Sequence, residues 1–165
     1  MAVDRLESSG KKNIVYLSRS ISFFNYTERR EGFLDALREY GGELTGEIVD
    51  VGDTVSEIAN NIRAYLTNSP LPDAFIMESY HVSIGVVKAL QSFKISVPEE
   101  ISLIGIDEIP EYMTGGKKLT LVRVPHSEKI QRAMNILKYE MFNEVENKIK
   151  MVVYCKLIHG ESVLQ

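Results

Sequence analysis

Five stretches of this sequence place polar, chemistry-bearing side chains directly after a short apolar run. Ser18, Arg19, Ser20, Ser22, Phe23, Phe24, Asn25 and Tyr26 follow Asn13–Leu17. Asp50 and Asp53 follow the segment 43–49, and Glu78, Ser79, Tyr80 and His81 follow Ala74–Met77. Asp107 and Glu108 follow Ile101–Ile106, and Pro125 and His126 follow Leu119–Val124. Carboxylates accept pairs of hydroxyl protons, and aromatic rings cover C–H faces, so this mixture suits a polyhydroxylated ligand. Plainer roles compete. Asp107 would also cap a following helix, and Tyr80 and Phe24 would also serve as packing residues. A cation at Arg29, in the first turn of a helix, is mildly disfavoured by the helix dipole, which sets it apart from Arg30.

Other chemistries find less support. His81, His126 and His159 lie far apart and match no metal-ligand spacing, so no metal is expected. The one cysteine, Cys155, has no histidine close to it in sequence and reads as an inert thiol. No Gly-x-Gly-x-x-Gly, no Gly-x-x-x-x-Gly-Lys-Ser/Thr and no Gly-x-Ser-x-Gly occurs, so no cofactor is implied. The first apolar run ends in Ser-Arg-Ser rather than an aspartate, which argues against a phospho-acceptor domain. A small α/β enzyme using Asp107 or Glu78 as acid or base is the remaining catalytic reading, and nothing pairs with either as a nucleophile.

The elements that must hold these groups alternate along the chain. Strands are expected at Asn13–Leu17, Glu43–Val51, Ala74–Met77, Ile101–Ile106, Leu119–Val124 and Met151–Ile158. Helices are expected at Phe24–Tyr40, after the capping box Thr54-Val-Ser-Glu57, at His81–Phe93 and at Ser127–Asn143. Gly41-Gly42 stops the first of these, and the last carries Ile130, Met134, Leu137 and Met141 on one face. Ala2, Val3 and Leu6 read as the end of a further amphipathic helix. Strand–helix alternation with short loops predicts an α/β fold, a mostly parallel sheet with helices on both faces. Ligands of such sheets bind beyond the carboxyl ends of the strands, where all five polar clusters fall.

The chain has 165 residues, 44% of them apolar and 25% charged, enough for one domain with a real core. Nineteen basic and twenty-three acidic residues leave a net charge of −4, with no electrostatic footprint for DNA or anionic membranes. No apolar run approaches the roughly 20 residues of a membrane span. Met1–Lys12 lacks the apolar core of a signal peptide. With a single cysteine, these features lead to the expectation of a cytoplasmic location.

Several blocks in series carry a resemblance. Arg29-Arg-Glu-Gly-Phe-Leu-Asp-Ala-Leu37 resembles the R-x-x-G-F-x-x-A-L helix of LacI/GalR-type transcriptional regulators. Pro72–Ile76, Gly85–Leu90, Val97–Asp107, Leu119–Pro125 and Glu161-Ser-Val163 are similar to the following blocks of that family, in the same order. The resemblance covers nearly the whole chain. It implies a periplasmic-binding-protein-like lobe: a second lobe over about residues 11–118, with 1–10 and 119–165 linking to or belonging to a first lobe. The helix-turn-helix of the family is expected to be absent. The segments 1–7, 127–144 and the final strand would then fold back on the sheet or pair with a second chain.

The resemblance also implies a site. The family's effector-binding arginine corresponds to Arg29 and its aspartate to Asp107. The third-strand motif, usually Ala-Asn/Ser-Asp, reads Glu78-Ser79-Tyr80 here, so Ser79 keeps a hydroxyl while Tyr80 replaces an acid. The family's stacking aromatic is missing near Gly52–Asp53, and its frequent glutamine is Val124. Phe23, Phe24 or Tyr80 would supply the ring. The implied function is effector binding and dimerisation in a sugar-responsive repressor, acting by a ligand-driven lobe rearrangement. The effector would be a sugar or sugar derivative, and operator DNA would be reached only through the absent N-terminal domain. The partner would be a second copy of the chain, with no membrane involved. A regulator controlled by a protein partner, of the catabolite-control type, is the alternative.

Overall fold

The computed structural model describes residues 1–21, 23–143 and 149–164. Ser22, and the end of the segment expected at 127–144, lie outside the described residues. In chain order the elements are α1 (Ala2–Glu7), β1 (Asn13–Ser18), α2 (Phe24–Glu39), β2 (Thr45–Asp50), α3 (Val55–Asn68) and β3 (Ala74–Met77). They continue with α4 (Tyr80–Phe93), β4 (Ser102–Ile106), a 3₁₀ turn at Glu111–Met113, β5 (Thr120–Arg123), α5 (His126–Phe142) and β6 (Lys156–Ile158).

One six-stranded sheet runs in the order β2-β1-β3-β4-β5-β6. The first four pairings are parallel and only β6 runs antiparallel. Alternation along the strands builds two cores. Val15, Leu17, Phe75, Met77 and Leu103 face α3 and α4, packed under Ile58, Ile62, Val86 and Leu90. Ile14, Tyr16, Ala74, Ile76 and Ile104 face the other way, against Val3 and Leu6 of α1 and Phe33 of α2. Helices therefore cover both faces, as the alternation requires. Helices α3 and α4 approach so closely that a Cβ on Gly85 would fall 2.4 Å from Ile58 Cγ2.

Local signals hold where the sequence is explicit. Thr54 Oγ1 accepts the Glu57 amide at 3.2 Å, and Glu57 Oε2 accepts the Thr54 amide at 2.9 Å, closing the capping box. Gly41 and Gly42 both take positive φ at the end of α2.

The last strand is shorter than expected. Of Met151–Ile158 only Lys156–Ile158 pairs, because β5 ends at Arg123 opposite Lys156. Pro125, which has no amide hydrogen, then turns the chain off the sheet, so 151–155 has no neighbour there. The segments expected in a first lobe behave differently from one another. Helix α1 buries Val3 and Leu6, and β5 and β6 join the sheet. Residues 160–164 are stitched down by Ser162, whose Oγ donates to Leu103 O at 2.6 Å and accepts the Thr120 amide at 2.8 Å. Helix α5 buries no residue: Ile130, Met134, Leu137 and Met141 are 62%, 47%, 50% and 69% exposed. Among the described residues no helix is long and apolar enough to cross a membrane.

The capping carboxylate gives a pH dependence. Amide hydrogen bonds from Thr54 and Asp53 hold the Glu57 carboxyl below the usual carboxylate range. A lowered folded-state value adds stability that is complete above the unfolded value and lost as pH falls through the folded one. Urea midpoints measured from pH 6 down to pH 3 should therefore fall less steeply for Glu57→Gln than for the wild-type chain.

Candidate effector site

The sheet order reverses at β1 and β3, so their carboxyl ends open where β1→β2 and β3→β4 diverge. Glu78, the residue after β3, fills this point. Its side chain is fully buried. Oε1 accepts the Tyr16 hydroxyl at 3.3 Å and Arg30 Nε at 3.2 Å, and Oε2 accepts the Arg19 amide at 2.9 Å. Burial, and next the Glu78 charge, push the Tyr16 phenol well above its ordinary value, so it remains a donor. Around this carboxylate, Arg29 Nη1 donates to Glu78 O at 2.7 Å, and Arg30 also reaches Arg19 O. Two guanidinium groups approach the Tyr26 ring, Arg19 at 6.0 Å and Arg29 at 5.6 Å from its centroid. Arg19 Nε is 3.3 Å from Asp53 Oδ1 but not aligned for a hydrogen bond, so the contact is purely ionic.

Further along the rim, a cleft of about 750 Å³ opens beyond β4 and β5. Tyr80, Asp107, Glu108 and Arg123 line it from the sheet side, and His126, Ser127 and Glu128 from the first turn of α5. A second cleft of about 690 Å³ shares Tyr80, Glu108 and Arg123 and extends to Lys118 and His159. Glu108 and Arg123 form an ion pair. Asp107 stands in a left-handed conformation, φ 71°, that L-residues other than Asn and Asp seldom adopt. Its amide donates to Val122 O at 3.2 Å, and its Oδ1 is 3.1 Å from His126 Nε2. Asp107 is thus held at the cleft mouth by the neighbouring strand and by a histidine.

The structure brings Tyr80 and Asp107 into one cleft. Ser79, the N-cap of α4, is buried with its Oγ unpartnered among the described residues. Arg29 sits half-buried at the β1–β3 end, spending one nitrogen on Glu78 O. Phe24 is 81% exposed and lines neither cleft. Glu78 is walled in by three donors, which leaves no path for a substrate proton. No group of three or more His, Cys, Asp or Glu that could hold a metal occurs among the described residues. Sequence reasoning missed the partnership of Arg19, Arg30 and Tyr16 with Glu78. A tyrosine inside an otherwise apolar strand was the available sign, since a buried hydroxyl needs a partner. The pairing of His126 with Asp107 carried no sequence signal.

Residues 3–163 match the family described as "Periplasmic binding protein-like domain", and the chain belongs to that family. Its relatives are LacI-type regulators. The HTH-type transcriptional regulator AscG of Escherichia coli K12 is 29% identical over 137 residues, covering 82% of this chain and 41% of its own. The HTH-type transcriptional repressor PurR of Actinobacillus pleuropneumoniae serotype 3 is 30% identical over 138 residues, covering 83% and 41%. The chain thus spans under half the length of these curated relatives. The solved structure of a sugar-binding LacI-family regulator from Escherichia coli, in complex with phosphate, superposes with a TM-score of 0.82 at 26% identity. It covers 99% of this chain and 59% of that one.

Two substitutions test the site's construction. Glu78→Ala strands Arg30 and the Tyr16 hydroxyl in a buried setting and should cost about 3 kcal/mol or more in urea denaturation. Asp107→Gly removes the carboxylate while suiting the left-handed φ, and should leave stability within about 1 kcal/mol of wild type.

Proposed function

We propose that this chain is the effector-binding lobe of a sugar-responsive LacI-type transcriptional regulator. The observation that carries the reading is the Asp107 carboxylate, presented from a left-handed backbone into a cleft beside the Tyr80 ring. A carboxylate that accepts two hydroxyls and a ring that covers a C–H face are the two contacts a pyranose or furanose needs. Ser79, buried with an unpartnered hydroxyl, and Arg29, with donors left beyond the one spent on Glu78, complete the candidate set; Phe24, 81% exposed, lies outside the cleft lining and would contribute only if the ligand extends beyond it. The AscG and PurR relatives are HTH-type regulators, which supports a cytoplasmic, DNA-linked, non-enzymatic role. Operator contact would come through a separate helix-turn-helix, and the exposed apolar stripe of α5 would pack on a first lobe. The regulator would act as a homodimer.

Differential binding to open and closed lobe arrangements would set the spacing of the DNA-binding heads. The test is calorimetric titration of the intact regulator with a panel of neutral mono- and disaccharides and with inorganic phosphate. At least one sugar should bind, and Asp107→Ala should weaken it at least about tenfold, since a charged hydrogen-bond acceptor is lost. Binding of phosphate alone, or unchanged affinity in Asp107→Ala, would overturn the sugar reading.

A further inference from the structure

Arg29 and Arg30 are neighbours in α2, and both reach the same residue. Arg29 Nη1 donates to the Glu78 backbone oxygen at 2.7 Å, and Arg30 Nε donates to the Glu78 carboxylate at 3.2 Å. Their situations differ. The Glu78 side chain is fully buried and that of Arg30 is 27% exposed, so their ion pair lies largely out of water. Through Nη2, Arg30 also donates to Arg19 O in the loop after β1. The Arg19 amide in turn donates to the other Glu78 oxygen at 2.9 Å. Arg30, Glu78 and the Arg19 backbone therefore close a ring of three contacts. The Arg29 side chain makes one hydrogen bond among the described residues, and its other contact is the Tyr26 ring, whose centroid is 5.6 Å from Cζ.

The ring of contacts matters because of how α2 is seated. The α2 residues that pack into the core on this side of the sheet, Phe33, Ala36 and Leu37, all lie in its second half. The first half starts at the N-cap Phe23 with no side-chain cap and no acidic residue in the first turn. What ties residues 24–32 to the strand ends is polar, and it converges on Glu78. Within it, a guanidinium on a buried carboxylate is a stronger tether than a guanidinium on a neutral backbone oxygen.

We infer that Arg30 is a positioning residue. Its ion pair with Glu78 seats the first half of α2 against the ends of β1 and β3, and so fixes the place of the adjacent Arg29 at the rim. The two arginines divide the work: Arg30 is committed to the protein through Nε and Nη2, and Arg29 keeps donors for a ligand. The fork of Arg30 suits this role because it reaches a carboxylate and a carbonyl at once, which a lysine does with a single point charge. The purpose of the arrangement rests on the proposed effector contact of Arg29, but the arrangement itself needs no ligand.

The test is amide hydrogen exchange on this chain, read by NMR together with the Arg29 guanidinium signals. In the wild type the bond to Glu78 O should slow rotation of the Arg29 guanidinium and keep its signals resolved. Arg30→Gln should merge them, and should speed exchange at Glu28–Gly32 at least about tenfold more than at Ser102–Ile106 of β4, because the opening is local. Arg29→Gln should leave Glu28–Gly32 as protected as in the wild type. Arg30→Lys, which keeps a cation on the carboxylate, should restore most of the protection. Unchanged exchange in Arg30→Gln would overturn the inference. So would an equal rise in α2 and β4, which would assign the effect to global stability. An equal effect of Arg29→Gln, or a lysine variant that behaves like the glutamine one, would overturn it as well. If the lone charge left on Glu78 keeps Arg30→Gln from folding, Glu78→Gln/Arg30→Gln removes both charges. The same local rise is then expected, and wild-type protection of α2 would overturn the ion pair's role. No ligand is present in any of these measurements, so a failed sugar titration would remove the purpose assigned to Arg29 and leave the seating of α2 to be decided here.

Discussion

A fully buried carboxylate at the point where the sheet order reverses sets the geometry of everything around it. Glu78 cannot remain charged there without donors, and the fold supplies a hydroxyl from β1, a backbone amide from the loop after β1, and a guanidinium from α2. Those three bonds tie α2, β1 and the loop after β1 to the end of β3. They also commit Arg30, while Arg29 donates to the Glu78 carbonyl and, with Arg19, approaches the Tyr26 ring. A buried pair of this kind contributes more to fixing one arrangement than to net stability.

With the β1–β3 end filled by its own ion network, the open part of the rim lies beyond β4 and β5. Asp107 is the pivot of that part. It directly follows the buried strand β4, is held to the sheet by its amide on Val122 O, and lines the cleft. The wall opposite is not part of the sheet at all: it is the first turn of α5, a helix with an apolar stripe in solvent.

The family comparison and the physical reading agree on scale. The relatives are more than twice as long as the segments that match. In the proposed reading this chain supplies the acceptor chemistry of Asp107 and the ring of Tyr80, which line one cleft.

The order of elements was readable from the residues because it depends on local rules: period-2 and period-3.6 patterning, the Thr54–Glu57 box and the glycines after α2. The placement of Tyr80 and Asp107 at strand ends followed from the same rules plus the known geometry of parallel sheets. Residue types at the strand ends already suited a polyhydroxylated ligand, and resemblance added the effector-contact roles of Arg29 and Asp107. Sequence could not show that Arg29 and Arg30 both turn toward β3, because adjacent helix positions are indistinguishable until the helix is docked. Nor could it show that 151–155 lacks a strand partner, which is decided by where Pro125 takes the neighbouring chain. The joining of His126 to Asp107, nineteen residues apart, likewise belongs to tertiary structure, because it depends on how a strand end and a helix start are brought together by the sheet between them. Sequence determined which groups exist and on which kind of element; packing decided which of them meet.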